Sequence, residues 1–236
     1  MDLTVVRRAA VRARAATIVL VLMCFAWLTA GLAADPVVAA EPARPVRIVA
    51  FGDSLTAGFG LSISEAFPQR LDVALKQRGH AVEVINAGVS GDTTAGGLTR
   101  VDWAVPDGTD AVILELGAND ALQGRDPAQA RANLDAIVGR LTAKGVIVLI
   151  AGMRAPRNLG EAYAARFDPI FPDLASKYGT LLYPFFLDGV ALDSSLNQGD
   201  GIHPNSKGVA IIVERMLPAV EQLIARVVAK RAGAAR

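Results

Sequence analysis

Val46-Arg47-Ile48-Val49-Ala50-Phe51-Gly52-Asp53-Ser54-Leu55 is the stretch that decides the fold. A short β-branched apolar run stops at a glycine, and polar residues follow at once. Such a run, bounded by a turn residue, predicts a strand buried within a sheet. The glycine permits a sharp bend, so Ser54 falls at a strand-to-helix turn.

The same grammar repeats along the chain. Apolar runs at Ala81–Ile85, Ala111–Leu116, Val146–Ala151 and Thr180–Tyr183 predict four more strands. Between them, helical spacing covers Phe67–Arg78, a short piece near Ala95–Val101, Pro127–Lys144 and Glu161–Lys177. A last helix is expected over Ser206–Ala229, with Ser206 as its N-cap. Pro127 suits a first turn and Gly145 a helix end. Strands alternating with helices predict a parallel five-stranded α/β sheet, covered by helices on both faces and joined by right-handed crossovers. No repeat or low-complexity linker interrupts it, so residues 41–236 are expected to form one domain.

The first forty residues are of another kind. Arg7, Arg8, Arg12 and Arg14 precede an uncharged apolar run, Thr17–Ala34, and small residues follow it. That order is the one of a secretory signal peptide, with cleavage expected between about residues 33 and 40. The alternative is a retained membrane anchor, since the run approaches the length of a spanning helix. The whole chain carries a formal charge of +1 from 24 basic and 23 acidic residues. Without residues 1–40, 20 basic and 21 acidic residues remain, a charge of −1. Neither balance argues for a nucleic-acid partner. The single cysteine, Cys24, leaves with the segment, which is compatible with an oxidising periplasm.

Open α/β sheets bind ligands at the carboxyl ends of their strands. The polar clusters after the apolar runs are Gly52-Asp53-Ser54-Leu55, Asn86-Ala87-Gly88-Val89-Ser90-Gly91-Asp92 and Gly117-Ala118-Asn119-Asp120. Asp200-Gly201-Ile202-His203-Pro204 precedes the last helix. All four belong to one edge of the sheet. A serine hydroxyl there needs a base to become a nucleophile. Of the two histidines, His80 lies at the amino edge, and only His203 is on the right one. The three-residue spacing lets Asp200 reach Nδ1 of His203 and aim Nε2 at Ser54. The N–H groups of Ser54 and Gly91 and the amide of Asn119 could receive an oxyanion. Each residue alone also has a plainer reading: Ser54 as an N-cap, Gly91 and Asn119 as turn residues, Asp200 and His203 as loop organisers. Asp53, Asp92, Asp120 and Asp200 could instead bind a hard cation. A flavodoxin-like binding module without chemistry is the third possibility. Glu115, in a buried strand, is expected to be a structural carboxyl paired with a donor.

These four blocks, in this order, resemble those of the SGNH/GDSL hydrolases. The likeness is greatest to the bacterial periplasmic thioesterase I/lysophospholipase/arylesterase subgroup, and extends through Glu115–Asp120 and Met153-Arg154-Ala155-Pro156. The resemblance implies a flavodoxin-like three-layer α/β/α sandwich. It implies a serine esterase needing no metal or organic cofactor, acting on small acyl esters, thioesters or lysophospholipids, and meeting membrane only through its signal segment or a lipid substrate. In that pattern Ser54 is the nucleophile, Asp200 and His203 complete a triad, and Ser54, Gly91 and Asn119 form the oxyanion hole. Arg154, Ala155 and Pro156 match a stretch that lines the acyl site. There the subgroup often carries a large apolar residue after the arginine, and this chain has Ala155. An altered chain-length preference is the expectation. A carbohydrate O-acetylesterase of the same family is the alternative activity.

Overall fold

The computed structural model describes residues 44–234, which belong to one compact unit. The expected signal segment, residues 1–40, lies outside the described residues. Five strands form one sheet: β1 (Val46–Gly52), β2 (Val82–Gly88), β3 (Ala111–Glu115), β4 (Ile147–Ala151) and β5 (Leu181–Tyr183). Their order is β2-β1-β3-β4-β5 and every pairing is parallel. In register, Gly52 of β1 faces Gly88 of β2 on one side and Glu115 of β3 on the other. All five residues of β3 are buried, as a run of Ala, Val, Ile and Leu inside a two-faced sheet requires.

Eight helices accompany the strands among the described residues: α1 (Ser54–Ala57), α2 (Phe67–Gln77), α3 (Thr94–Ala104), α4 (Ala118–Leu122), α5 (Pro127–Ala143), α6 (Glu161–Phe167), α7 (Ile170–Tyr178) and α8 (Ser206–Ala234). Helix α2 packs against α8, and α5 packs against α3 and α7. The sheet between them makes the three-layer α/β/α sandwich. Phe51, Ile113, Leu114 and Leu116 are buried in its centre together with Leu71, Ile137 and Phe171 from the helices. No helix among the described residues is long and apolar enough to cross a membrane.

Three expectations change. The single helix expected over Glu161–Lys177 is two, α6 and α7. They part at Asp168-Pro169, because a proline has no N–H for the ladder and its ring crowds the preceding turn. The last helix continues five residues beyond Ala229, to Ala234. Its extension carries Arg231, whose guanidinium binds both carboxylate oxygens of Asp110 and the carbonyls of Arg44 and Pro45. Asn205 caps this helix in place of Ser206, its Oδ1 accepting from the N–H groups of Lys207 (2.9 Å) and Gly208 (3.1 Å).

Strand order reverses direction at β1, since β2 follows to one side and β3 to the other. The crevice beyond the carboxyl ends of β1 and β3 is where such a sheet receives a ligand. Ser54 follows β1 and Asn119 follows β3, so both border it.

Candidate active site

Ser54 opens helix α1 and is 8% exposed. Asp53 caps that helix, its Oδ1 accepting from Leu55 N–H at 3.0 Å. The turn is tight for a physical reason. A Cβ at Gly52 would stand 2.1 Å from Thr56 Oγ1 and 2.6 Å from Glu115 Oε2, so only glycine fits.

His203 comes from a loop of a different part of the chain. Its Nε2 lies 2.9 Å from Ser54 Oγ, and its Nδ1 lies 2.7 Å from Asp200 Oδ2. Asp200 Oδ1 accepts from the N–H groups of Ile202 (2.9 Å) and His203 (3.0 Å). One carboxylate thus fixes both the backbone and the ring of the same histidine. With Nδ1–H donating to Asp200, Nε2 is left to accept the serine proton. The His203 N–H first, then its ring and the Ile202 N–H, draw the Asp200 carboxyl down from 3.8 to about 2.

Side chains that sequence reading missed hold this loop. The Gln198 amide donates to the carbonyls of Phe59 (2.7 Å) and Pro204 (3.0 Å), tying the loop to the segment after α1. Asn205 donates to the carbonyls of Ser195 (2.9 Å) and Asn197 (3.2 Å). Residues Asn197 and Pro204 pair as a single antiparallel bridge that closes the loop's neck. The Phe59 ring packs on the His203 imidazole, centroids 4.6 Å apart. Nothing local in the sequence marks these contacts, because Gln198 and Phe59 are 139 positions apart.

The expected oxyanion donors follow three different strands: Ser54 opens α1, Gly91 lies after β2 and Asn119 is in α4. Gly91 has φ +83°, a conformation that favours glycine, although a Cβ there would meet no atom within 4 Å. The N–H groups of Ser54 and Gly91 donate to no acceptor among the described residues. Asn119 is held more firmly. Its Nδ2 donates to the Asp92 carbonyl at 2.8 Å and to Asp53 Oδ2 at 3.2 Å. The Asp92 end is braced by Arg100, 6% exposed, which donates to Asp92 Oδ2 (2.6 Å) and to the carbonyls of Ala87 and Gly52 (2.8 Å each). Its guanidinium also lies 4.0 Å from the centroid of the Phe51 ring. This buried arginine, on the inner side of α3, is a second feature the sequence did not disclose.

The other conspicuous residues have settled partners. Asp120 accepts from Thr94 N–H (2.8 Å) and Thr94 Oγ1 (2.7 Å), pinning the start of α3. His80 faces Glu221 at 3.3 Å, at the amino edge of the sheet. Among the described residues no group of three or more His, Cys, Asp or Glu side chains is arranged to hold a metal ion. Asp53, Asp92, Asp120 and Asp200 are each engaged separately. Glu115 is a structural carboxyl as expected: its Oε2 accepts from Thr56 Oγ1 (2.7 Å) and Asp53 N–H (3.3 Å). Residues 154–156 follow β4 at the same edge. Ala155 is buried and its N–H donates to Asp168 (2.8 Å), while the Arg154 guanidinium lies 4.9 Å from the centroid of the Phe185 ring. None of the three hydrogen-bonds Ser54, Asp200 or His203.

Known proteins share this arrangement of chain. Residues 50–211 match the GDSL-like Lipase/Acylhydrolase family. Esterase TesA of Pseudomonas aeruginosa is 35% identical over 185 residues, 78% of this chain and 92% of that one. Thioesterase 1/protease 1/lysophospholipase L1 of Escherichia coli K12 is 34% identical over 178 residues, 75% of this chain and 84% of the relative. The crystal structure of AlinE4, an SGNH-hydrolase family esterase, superposes with a TM-score of 0.66 at 45% identity, covering 77% of this chain and 98% of that one. The chain belongs to the GDSL-like lipase/acylhydrolase family.

Proposed function

We propose that the protein hydrolyses carboxylic esters and thioesters of acyl substrates through Ser54, His203 and Asp200. The observation that carries this is the unbroken line Ser54 Oγ–His203 Nε2, His203 Nδ1–Asp200 Oδ2, at 2.9 and 2.7 Å. Ser54 Oγ bonds to the acyl carbon as its proton passes to His203 Nε2, and the carbonyl π pair moves onto oxygen. The N–H groups of Ser54 and Gly91 receive that charge, with Asn119 beside them. When the carbonyl re-forms, the bond to the leaving oxygen or sulfur breaks and His203 returns the proton to it. Water then repeats both steps on the acyl-serine.

Exposed apolar side chains favour an acyl chain over a sugar. Phe59, Val89, Leu122 and Ile202 lie near the site residues in sequence and are each 44–50% exposed. Such side chains suit an apolar acyl or aryl group. We also retain the export reading of residues 1–40, which would deliver the enzyme to the periplasm. The mass of the mature amino terminus tests it.

Hydrolysis of p-nitrophenyl esters from acetyl to palmitoyl tests the main proposal. The protein is expected to turn over the series with a preference above acetyl. Ser54→Ala is expected to lose at least about a thousandfold in kcat while keeping its fold. A Ser54→Ala protein that still turns over at a comparable rate would refute the serine mechanism.

A further inference from the structure

Glu115 and Asp53 are two carboxyls in one place with no exposure at all. Burial is the leading reason that Glu115 rises well above the usual carboxyl range. The Asp53 charge pushes it further. Burial also carries Asp53 from 3.8 to about 6, although the Leu55 N–H and Glu115 bonds favour its charged form. The Asp53 N–H donates to Glu115 Oε2 at 3.3 Å, so the two carboxyls share one enclosure. Two carboxylates enclosed together without solvent repel each other, so one of the two is an acid.

The contacts say which. Glu115 Oε2 already accepts from Thr56 Oγ1 and Asp53 N–H. Glu115 Oε1 is buried and receives no donor among the described residues. A buried carboxylate oxygen without a donor is costly, whereas a carboxylic O–H there becomes a donor itself. Asp53 is on the accepting side, with Oδ1 taking Leu55 N–H and Oδ2 taking Asn119 Nδ2. The other titratable groups that bear on Asp53 are His203 from the loop before α8 and Asp92 after β2, the latter paired with Arg100.

We propose that Asp53 and Glu115 form a one-proton carboxyl pair beneath Ser54, with Glu115 as the acid, and that this pair positions the nucleophile turn and the Asn119 amide. This rests on the reading of Ser54 as nucleophile and Asn119 as an oxyanion donor. Both Asn119 Nδ2 hydrogens are engaged, so an incoming oxyanion must draw one away from an acceptor. The bond to Asp53, at 3.2 Å, is the longer of the two. A proton donated from Glu115 withdraws charge from Asp53, which lowers the cost of releasing Asn119 toward the oxyanion. It also keeps the pair at one negative charge beside a site where negative charge develops. Neither residue touches substrate, and both act through Ser54 and Asn119.

The test uses carboxyl-labelled glutamate NMR on the whole protein and kinetics of two variants. At pH 7 one glutamate signal, absent from Glu115→Gln, is expected at the shift of a carboxylic acid. Glu115→Leu is expected to lose about tenfold to a hundredfold in kcat with KM changed less than about threefold, as for a displaced oxyanion donor. Glu115→Gln retains an N–H donor toward Asp53 and is expected to recover most of that loss. An ionised Glu115 at pH 7 overturns the proposal even if the leucine variant does not fold. So does a kcat for Glu115→Leu equal to the starting protein's, or a glutamine variant as impaired as the leucine one. Ser54→Ala run alongside separates the two failures. Turnover retained there defeats the serine reading, whereas an inert Ser54→Ala with an ionised Glu115 defeats only the pair.

Discussion

Asp200 and Asp53 flank the same serine from opposite surroundings. The Asp200 carboxylate is on a surface loop, its side chain 37% exposed, and three hydrogen bonds from His203 and Ile202 hold its pKa down to about 2. The Asp53 carboxyl is wholly enclosed, and burial lifts it to about 6 beside a Glu115 also raised by burial. Water and local N–H donors thus make one acid a permanent anion, while enclosure makes the other share a proton. A permanent anion suits the task of orienting an imidazole and steadying its charge. A proton-sharing pair suits a fixed scaffold that must not crowd a developing oxyanion with charge. Two carboxyl roles are separated by environment alone.

The strongest way to break the comparison is at the surface carboxylate. Asp200→Asn keeps the shape of the loop but offers Nδ1 an amide that can turn either group toward it. The wrong imidazole tautomer follows, and kcat is expected to fall by about a thousandfold or more. A loss of less than about tenfold on the p-nitrophenyl ester series would mean that loop hydrogen bonds alone orient His203.

Asn119 joins the two halves, since its amide touches Asp53 directly. Asn119→Ala is expected to cost about a hundredfold in kcat, as for one lost oxyanion donor, with little change in KM. It also removes a donor from Asp53. If the loss appeared in KM and spared kcat, Asn119 would serve binding alone.

Stability against pH sharpens the comparison further. A carboxyl raised in the folded state binds its proton more tightly than in the unfolded chain. Its stabilising contribution is therefore full below the unfolded value and is lost as pH rises toward the folded one. Glu115 and Asp53 both act in this direction. Asp200 acts in the other, contributing above 3.8 and losing its contribution as pH falls through about 2. Glu115→Gln has nothing to titrate at that position. Between pH 5 and 8 it is expected to gain on the starting protein by about 1.4 kcal/mol per pH unit, while Glu115 stays protonated. Urea unfolding at the two ends of that range measures it, and parallel stability profiles would show Glu115 ionised throughout.

Sequence legibility followed the same division between local and enclosed. The five strands were legible because each is a short apolar run ended by glycine or polar residues, and the carboxyl edge followed from them. The Asp200–His203 bond spans three residues, so spacing alone suggested it. Glu115 stood out as a carboxyl within Ala111–Leu116, but its bonds to Thr56 and Asp53 cross about 60 positions, and no spacing encodes them. Arg100 was hidden for the same reason, reaching Gly52 across 48 positions. Pro169 was visible, yet the helical spacing on both sides of it masked the break. Asn205 and Ser206 are both good capping residues, and local preference does not rank neighbours.

Ala155 tests whether anything outside the Asp200–His203 and Asp53–Glu115 pairs tunes the enzyme. The family resemblance implies a larger apolar side chain there, and this chain places a buried alanine whose backbone is held by Asp168. Leucine at that position must push into packed surroundings, at a cost of about 1–3 kcal/mol. The displacement can move the loop after β4, but Ala155 hydrogen-bonds neither Ser54 nor the pairs beside it. Ala155→Leu is therefore expected to shift the preferred acyl length of the p-nitrophenyl series while altering kcat on the acetyl ester by less than about threefold. That separation matters because in the proposed mechanism proton transfer depends on His203 and Asp200, whereas chain length is felt only where the acyl tail lies. An unchanged length profile would remove residues 154–156 from the acyl site. A loss of kcat on every ester alike would instead tie the loop after β4 to the catalytic line.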